Sequence, residues 1–200
     1  ERSGEIYQLK LDHDLGFAYA QLLDFSDINN FSGWLVNIYD YYSPASLDEG
    51  SIPDIVSSPF SLGPIRLPSY PTRRGKAAWR LIGRSNEKIS SELPGSKHLG
   101  GNITLDNNWN NLSPWFKVSG QGLDSIQVEY KYSEIRQLET GILNTQPSVV
   151  LKVSMKSIID SGKDVSTYYD LNNTEIRVPF IQLINTYYSL AETKELLKLL

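Results

Sequence analysis

The sequence predicts an α+β protein of mostly β character: an antiparallel curved sheet or small barrel with a C-terminal helix. Three observations predict it. Alternating apolar runs joined by short polar turns fill residues 5–39, prolines punctuate the middle of the chain too densely for long helices, and a capped apolar stripe ends it.

The first element is a hairpin. Glu5 to Leu11 alternates with Tyr7, Leu9 and Leu11 in phase, Gly16 to Leu23 alternates Phe17 and Tyr19 against Ala18, Ala20 and Leu22, and the polar turn Asp12-His13-Asp14-Leu15 joins them. Trp34 to Tyr39 reads as a third strand. From Ser43 to Pro71 six prolines leave room only for a helical turn around Asp54 to Val56 and a short strand at Ile65 to Leu67. Lys76 to Ile82 reads as a strand closed by Gly83, and Trp115 to Val118 as another. Gly120 and Gly122 mark a change of texture. Residues 1–119 are therefore read as a β-rich domain, and 120–200 as strands plus a helix, either separate or packed with the first as one unit. The later strands are expected at Ser125 to Tyr132, Ser148 to Met155 and Ile176 to Phe180. Ser189-Leu190-Ala191-Glu192 has capping-box spacing, and the leucines at 196, 197, 199 and 200 follow it, which predicts a docked terminal helix.

Composition narrows the function. With 40% hydrophobic and 21% charged residues among 200, the chain holds enough apolar material for one sizeable core, or one domain plus an appendage, so disorder is not expected. No run approaches the ~20 apolar residues of a spanning helix, and the first residues lack a signal-peptide pattern, so a soluble protein is expected. Cysteine is absent, which excludes disulfides, a thiol nucleophile and thiolate metal sites. A reducing cytoplasm suits this best, and a periplasm remains compatible. The charge is unevenly spread: residues 1–60 carry two bases against ten acids, and residues 61–100 eight bases against two acids. Either the two segments neutralise one another in the fold, or an acidic face steers a basic partner.

Catalytic equipment is sparse. There are two histidines, His13 in the hairpin turn and His98 in a glycine-flanked loop. Asp12-His13-Asp14 has the residue types of a metal or acid–base site, but neighbours on an extended chain point to opposite faces. Neither Gly-x-Ser-x-Gly nor a phosphate-binding loop occurs, and a carboxylate pair drawn from Asp40, Asp54 and Glu129 has no support in spacing. The expectation is a binding protein with no enzyme activity, cofactor or metal. Tyr39-Asp40-Tyr41-Tyr42, continued by Asp48-Glu49 and Asp54, places rigid amphipathic rings beside acids. That makes Tyr39, Asp40, Tyr41, Asp48, Glu49 and Asp54 the candidate partner-binding residues, against a competing reading in which the tyrosines pack in the core. An alternative is a carbohydrate- or nucleic-acid-binding β module. It would use Trp109, expected to be exposed within Asn107-Asn108-Trp109-Asn110-Asn111, and the basic cluster Arg73, Arg74 and Lys76. One short cluster on an acidic chain binds phosphates weakly, so nucleic acid is the poorer ligand.

Gly4-Glu5-Ile6-Tyr7-Gln8-Leu9-Lys10-Leu11, followed by Gly16-Phe17-Ala18-Tyr19-Ala20-Gln21-Leu22-Leu23, resembles the opening of the immunity protein 26 family of bacterial polymorphic-toxin systems. Lys76-Ala77-Ala78-Trp79-Arg80-Leu81-Ile82-Gly83, with Leu93-Pro94 beyond, looks like that family's second landmark. The likeness covers roughly residues 4–118. It implies a mostly β protein that binds and neutralises a cognate toxin domain, with no catalytic residue to transfer; no membrane partner is expected, since no apolar run is long enough to span. A nuclease toxin would be basic, for which an acidic inhibitor is electrostatically suited.

Overall fold

The computed structural model describes residues 2–27, 33–72, 78–90, 92–100, 108–120 and 125–200. Among the described residues the fold is α+β, with eight strands in two antiparallel sheets and C-terminal helices, and neither sheet closes into a barrel. The chain divides into two compact units, Glu1–Leu93 with Ile142–Ser154, and Pro94–Gly141 with Met155–Leu200.

The first unit is built on β1 (Glu5–Lys10), β2 (Phe17–Asp24), β3 (Trp34–Ser43), β4 (Phe60–Leu67) and β5 (Arg80–Arg84), in the order β4-β3-β2-β1-β5. The β1–β2 hairpin forms as expected, in a register that sets Leu9 opposite Ala18 and Tyr7 opposite Ala20. His13 and Asp14 take left-handed φ values of 53° and 52° to turn the chain in so short a loop. Period-two alternation sorts the strands into two faces. Tyr7, Leu9, Ala18, Ala20, Leu22, Val36 and Ile38 share one, and Ile6, Gln8, Tyr19, Gln21, Leu35 and Tyr39 the other. Both faces are buried, which makes the sheet a central layer.

The proline-rich stretch forms α1 (Ile52–Ser57) and β4, with Pro53 in the first helical turn, where a missing N–H costs nothing. β4 is longer than the expected Ile65–Leu67 and lies on the sheet edge, where Pro64 is tolerated. At Gly63 (φ 119°) an added Cβ would sit 2.7 Å from the Val36 carbonyl, so only glycine fits where β3 and β4 shift register. β5 begins at Arg80 rather than Lys76, and residues 73–77 lie outside the described residues.

The second unit holds β6 (Ser96–Leu99), β7 (Trp115–Ser119) and β8 (Ile126–Tyr130), ordered β6-β7-β8. The boundary expected near Gly120 lies between β7 and β8, which pair with each other. Its core joins Trp109, Trp115, Tyr132, Ile135 and Ile181. The helices are α2 (Tyr132–Ile135), α3 (Gln146–Asp160), α4 (Thr174–Tyr187) and α5 (Leu190–Leu196). α3 contributes residues 146–154 to the first unit and 155–160 to the second.

Two expected strands are helices. Ser148 to Met155 lies inside α3, which begins after Thr145, carries Pro147 in its first turn and stops at Gly162 (φ 74°). The β-branched run Val149, Val150, Val153 imitates a strand, but Val149 and Val153 are one helical turn apart and both fully buried. Ile176 to Phe180 lies inside α4, where the Asn173 side chain accepts the Glu175 N–H as the cap. α4 runs through Pro179 because the following turns, from Phe180 to Thr186, are all buried, and that packing outweighs the lost hydrogen bond. The terminal helix starts as expected, the Glu192 N–H donating to Ser189 Oγ at 3.2 Å and the Ser189 N–H to Glu192 Oε2 at 2.8 Å. It ends at Leu196, however, and Leu197–Leu199 form a tighter 3-10 turn with the leucines only half-buried.

Candidate partner-binding face

Residues 44–59 lie over one face of the first sheet. Ile52, Ile55 and Val56 of α1 pack into a cluster with Ile6, Tyr19, Tyr39 and Ile82, and Phe17, Tyr41, Leu47 and Phe60 flank it. Burying each of the three α1 side chains is worth about 1.5–3 kcal/mol, which holds the cover to the sheet.

Polar side chains on the buried face then set its position. Gln8 Oε1 accepts the Leu47 N–H at 2.9 Å, and Gln8 Nε2 donates to Ser46 Oγ at 2.9 Å. Tyr19 Oη and Ser43 Oγ lie 2.6 Å apart, and the Ser43 hydroxyl also donates to the Ala45 carbonyl. Gln21 Nε2 reaches the Ser85 and Glu87 carbonyls at 3.2 and 2.7 Å, fixing the next loop in the same way. Gly83 permits the closest approach: a Cβ there would lie 2.4 Å from Ile52 Cδ1 and 3.2 Å from Glu49 Cγ.

The six candidate binding residues divide by depth. Tyr39 is fully buried, with Phe60 at a ring separation of 4.8 Å, and its phenol is pushed well up by burial, then by the nearby Glu87 charge. It belongs to the core and supports the cover from beneath. Tyr41 is half-buried, edge-on to Tyr19 at 5.6 Å. Asp40, Asp48, Glu49 and Asp54 are exposed. Asp48 accepts the Gly50 N–H at 3.1 Å, and none of these four acids forms an ion pair among the described residues.

Two bases from the oppositely charged segment do reach this cover. Arg80 donates to Ser46 Oγ, and Lys88 donates to the Ser58 carbonyl with its ammonium 5.6 Å from the rings of Tyr39 and Phe60. They bind neutral acceptors, so neither of them pairs with the four exposed carboxylates.

The other candidates fare differently. Trp109 is 1% exposed, packed on Trp115 at 5.5 Å, and Asn185 Oδ1 accepts its backbone N–H. Its flanking asparagines Asn110 and Asn111 are exposed as expected, while the ring itself is turned into the core. Arg73, Arg74 and Lys76 lie outside the described residues. His13 is exposed, and His98 Nε2 is 2.9 Å from Ser96 Oγ. Among the described residues no three His, Asp or Glu side chains converge as a metal site. Asp40 and Asp54 belong to one unit and Glu129 to the other.

Sequence reasoning missed two polar clusters. Glu5 Oε2 accepts from Tyr7 Oη at 2.6 Å and from Tyr70 Oη at 2.5 Å, while the Arg2 guanidinium stacks 4.1 Å above the Tyr70 ring. Glu5 and Tyr7 share a face by alternation, but Tyr70 arrives from a distant loop, which no local pattern announces. In the second unit Lys97 is fully buried. Its amine donates to the Arg136 carbonyl and, at 3.0 Å, to Thr186 Oγ1, with the rings of Trp109 and Tyr132 at 5.4 and 5.5 Å. A cleft of about 580 Å³ lined by Asn110, Pro114, Glu129, Tyr130 and Glu134 opens beside this core.

No family model, curated protein or solved structure matches the chain. The likeness to the immunity protein 26 family accordingly rests on the residue pattern alone.

Proposed function

We propose that this protein is a toxin-neutralising immunity protein that binds and blocks a cognate bacterial toxin domain, acting in the cytoplasm by occupation rather than by catalysis. The observation that carries the reading is the set of exposed acids Asp40, Asp48, Glu49 and Asp54, on or beside a cover held by buried hydrogen bonds and apolar packing. A pre-organised anionic face loses little entropy on docking and attracts a basic surface over several ångströms before contact. Nuclease domains present such basic surfaces, since their substrates are polyanions. The family likeness of residues 4–118 supports the same role.

The test is capture of the toxin domain encoded beside this gene. The wild-type chain should form a stoichiometric complex and protect cells expressing that domain. The triple variant Asp40→Lys, Glu49→Lys, Asp54→Lys should associate about tenfold more slowly at low salt. Asp48 is left in place because it caps Gly50. No complex with the wild type, or a variant that associates as fast as the wild type, would sink the proposal.

A further inference from the structure

The two sheets end differently. In the first, β4 carries Gly63, Pro64 and two register shifts, and β5 carries Gly83, two exposed arginines and a register shift against β1, all of which discourage another strand from pairing there. β8 carries none of these. It pairs with β7 over five residues without a register shift, contains neither Pro nor Gly, and among the described residues has no strand on its outer side. All five of its residues are exposed. Ile126, Val128 and Tyr130, in phase on one face, are 65%, 46% and 38% exposed. Three large apolar side chains in solvent along an unprotected edge are a strand-pairing surface.

The composition of β8 selects the occupant. We propose that β8 pairs with β8 of a second copy of this chain, antiparallel about a two-fold axis at Val128, joining two three-stranded sheets into one of six. In that register Val128 faces Val128, Ile126 faces Tyr130 of the second copy, and Gln127 faces Glu129. Ile opposite Tyr is a favourable β-branched–aromatic pair, and the Gln127 amide donates to the Glu129 carboxylate, the one charge within the strand. Moving the axis to Glu129 sets that carboxylate against itself. Charge thus favours the Val128-centred register over the Glu129-centred one, and it is self-complementary as a two-fold interface requires. The surface belongs to the second unit and stands independently of the toxin-binding reading.

The chain has no cysteine, so one introduced thiol reports the register. In the proposed dimer the two residues 128 have Cα atoms about 4.5–5.5 Å apart, within disulfide reach, while the two residues 126 are about four residues out of line and beyond it. Val128→Cys should cross-link under mild oxidation about tenfold faster than Ile126→Cys, a same-face control that is the more exposed of the two, so exposure alone predicts the opposite order. Equal rates, or no cross-link from either, overturn the proposal. Sedimentation equilibrium on the unmodified chain provides a second readout. Its mass should climb from one chain toward two with concentration, and Val128→Lys should hold it at one. A wild type that stays at one chain up to sub-millimolar concentration, or a Val128→Lys variant that still dimerises, overturns it as well.

Discussion

Tyr132 shows how one residue's environment becomes a stability term. Its phenol is buried and donates to the Asn185 carbonyl at 2.6 Å, and burial, opposed by the Arg136 charge and hydrogen bond, pushes its pKa up to about 12 from an ordinary 10. The folded state therefore keeps a proton that the unfolded chain releases. This contribution is intact below pH 10 and is lost as pH rises from 10 through 12, by about 3 kcal/mol at most. Melting curves between pH 9 and 12 should show that loss, and Tyr132→Phe should lessen it, the raised phenol of Tyr39 accounting for the rest, at a cost of about 1 kcal/mol for the missing hydrogen bond. Trp109 carries a related expectation. Because its indole is core rather than a ligand platform, Trp109→Ala should lower stability in urea by about 3–5 kcal/mol. A substitution that leaves stability unchanged would contradict its burial.

At the scale of elements, the cover over the first sheet depends on buried amides that look out of place in an apolar strand. Gln8→Leu fills the same space but leaves the Leu47 N–H and the Ser46 hydroxyl without that partner, for a cost of about 1–3 kcal/mol. Amide exchange across residues 44–57 should accelerate while β1–β2 amides stay protected, and uniform protection would show that α1 packing alone holds the cover. The start of the terminal helix was legible from its capping box, Ser189 with Glu192. α3 was not, although Thr145 with Pro147 announces its start and Gly162 its end. The valines between them outvoted those signals, because β-branched residues describe a half-buried strand and a buried helical stripe equally well over eight positions.

For the whole molecule, two bases of the basic segment show how the charge asymmetry read from the chain is arranged among the described residues. Arg80 and Lys88 come to rest on the acidic cover, but they take a serine hydroxyl and a backbone carbonyl as partners, leaving the exposed carboxylates of Asp40, Asp48, Glu49 and Asp54 without an ion pair among the described residues. Association with a basic partner should therefore be salt-sensitive, slowing about tenfold as added salt shortens the screening length from ~14 Å near 50 mM to ~4 Å near 500 mM. Stopped-flow association rates across that range check it, and a rate independent of salt would remove the acidic face from the recognition step.

The sequence by itself determined the local facts: the hairpin and its turn, the non-central character of the proline-bearing strand, the capped start of the terminal helix and the absence of thiols. These follow from short-range sterics and from alternation, which a linear pattern records completely. It also determined which residues share a strand face. Only the tertiary structure decided that both faces of the first sheet are covered, that Tyr39 supports the cover while Asp40 meets solvent, and that Trp109 and Lys97 go inside. The physical reason is that burial depends on what arrives from elsewhere in the chain. A period of two separates the faces but says nothing of what packs on each.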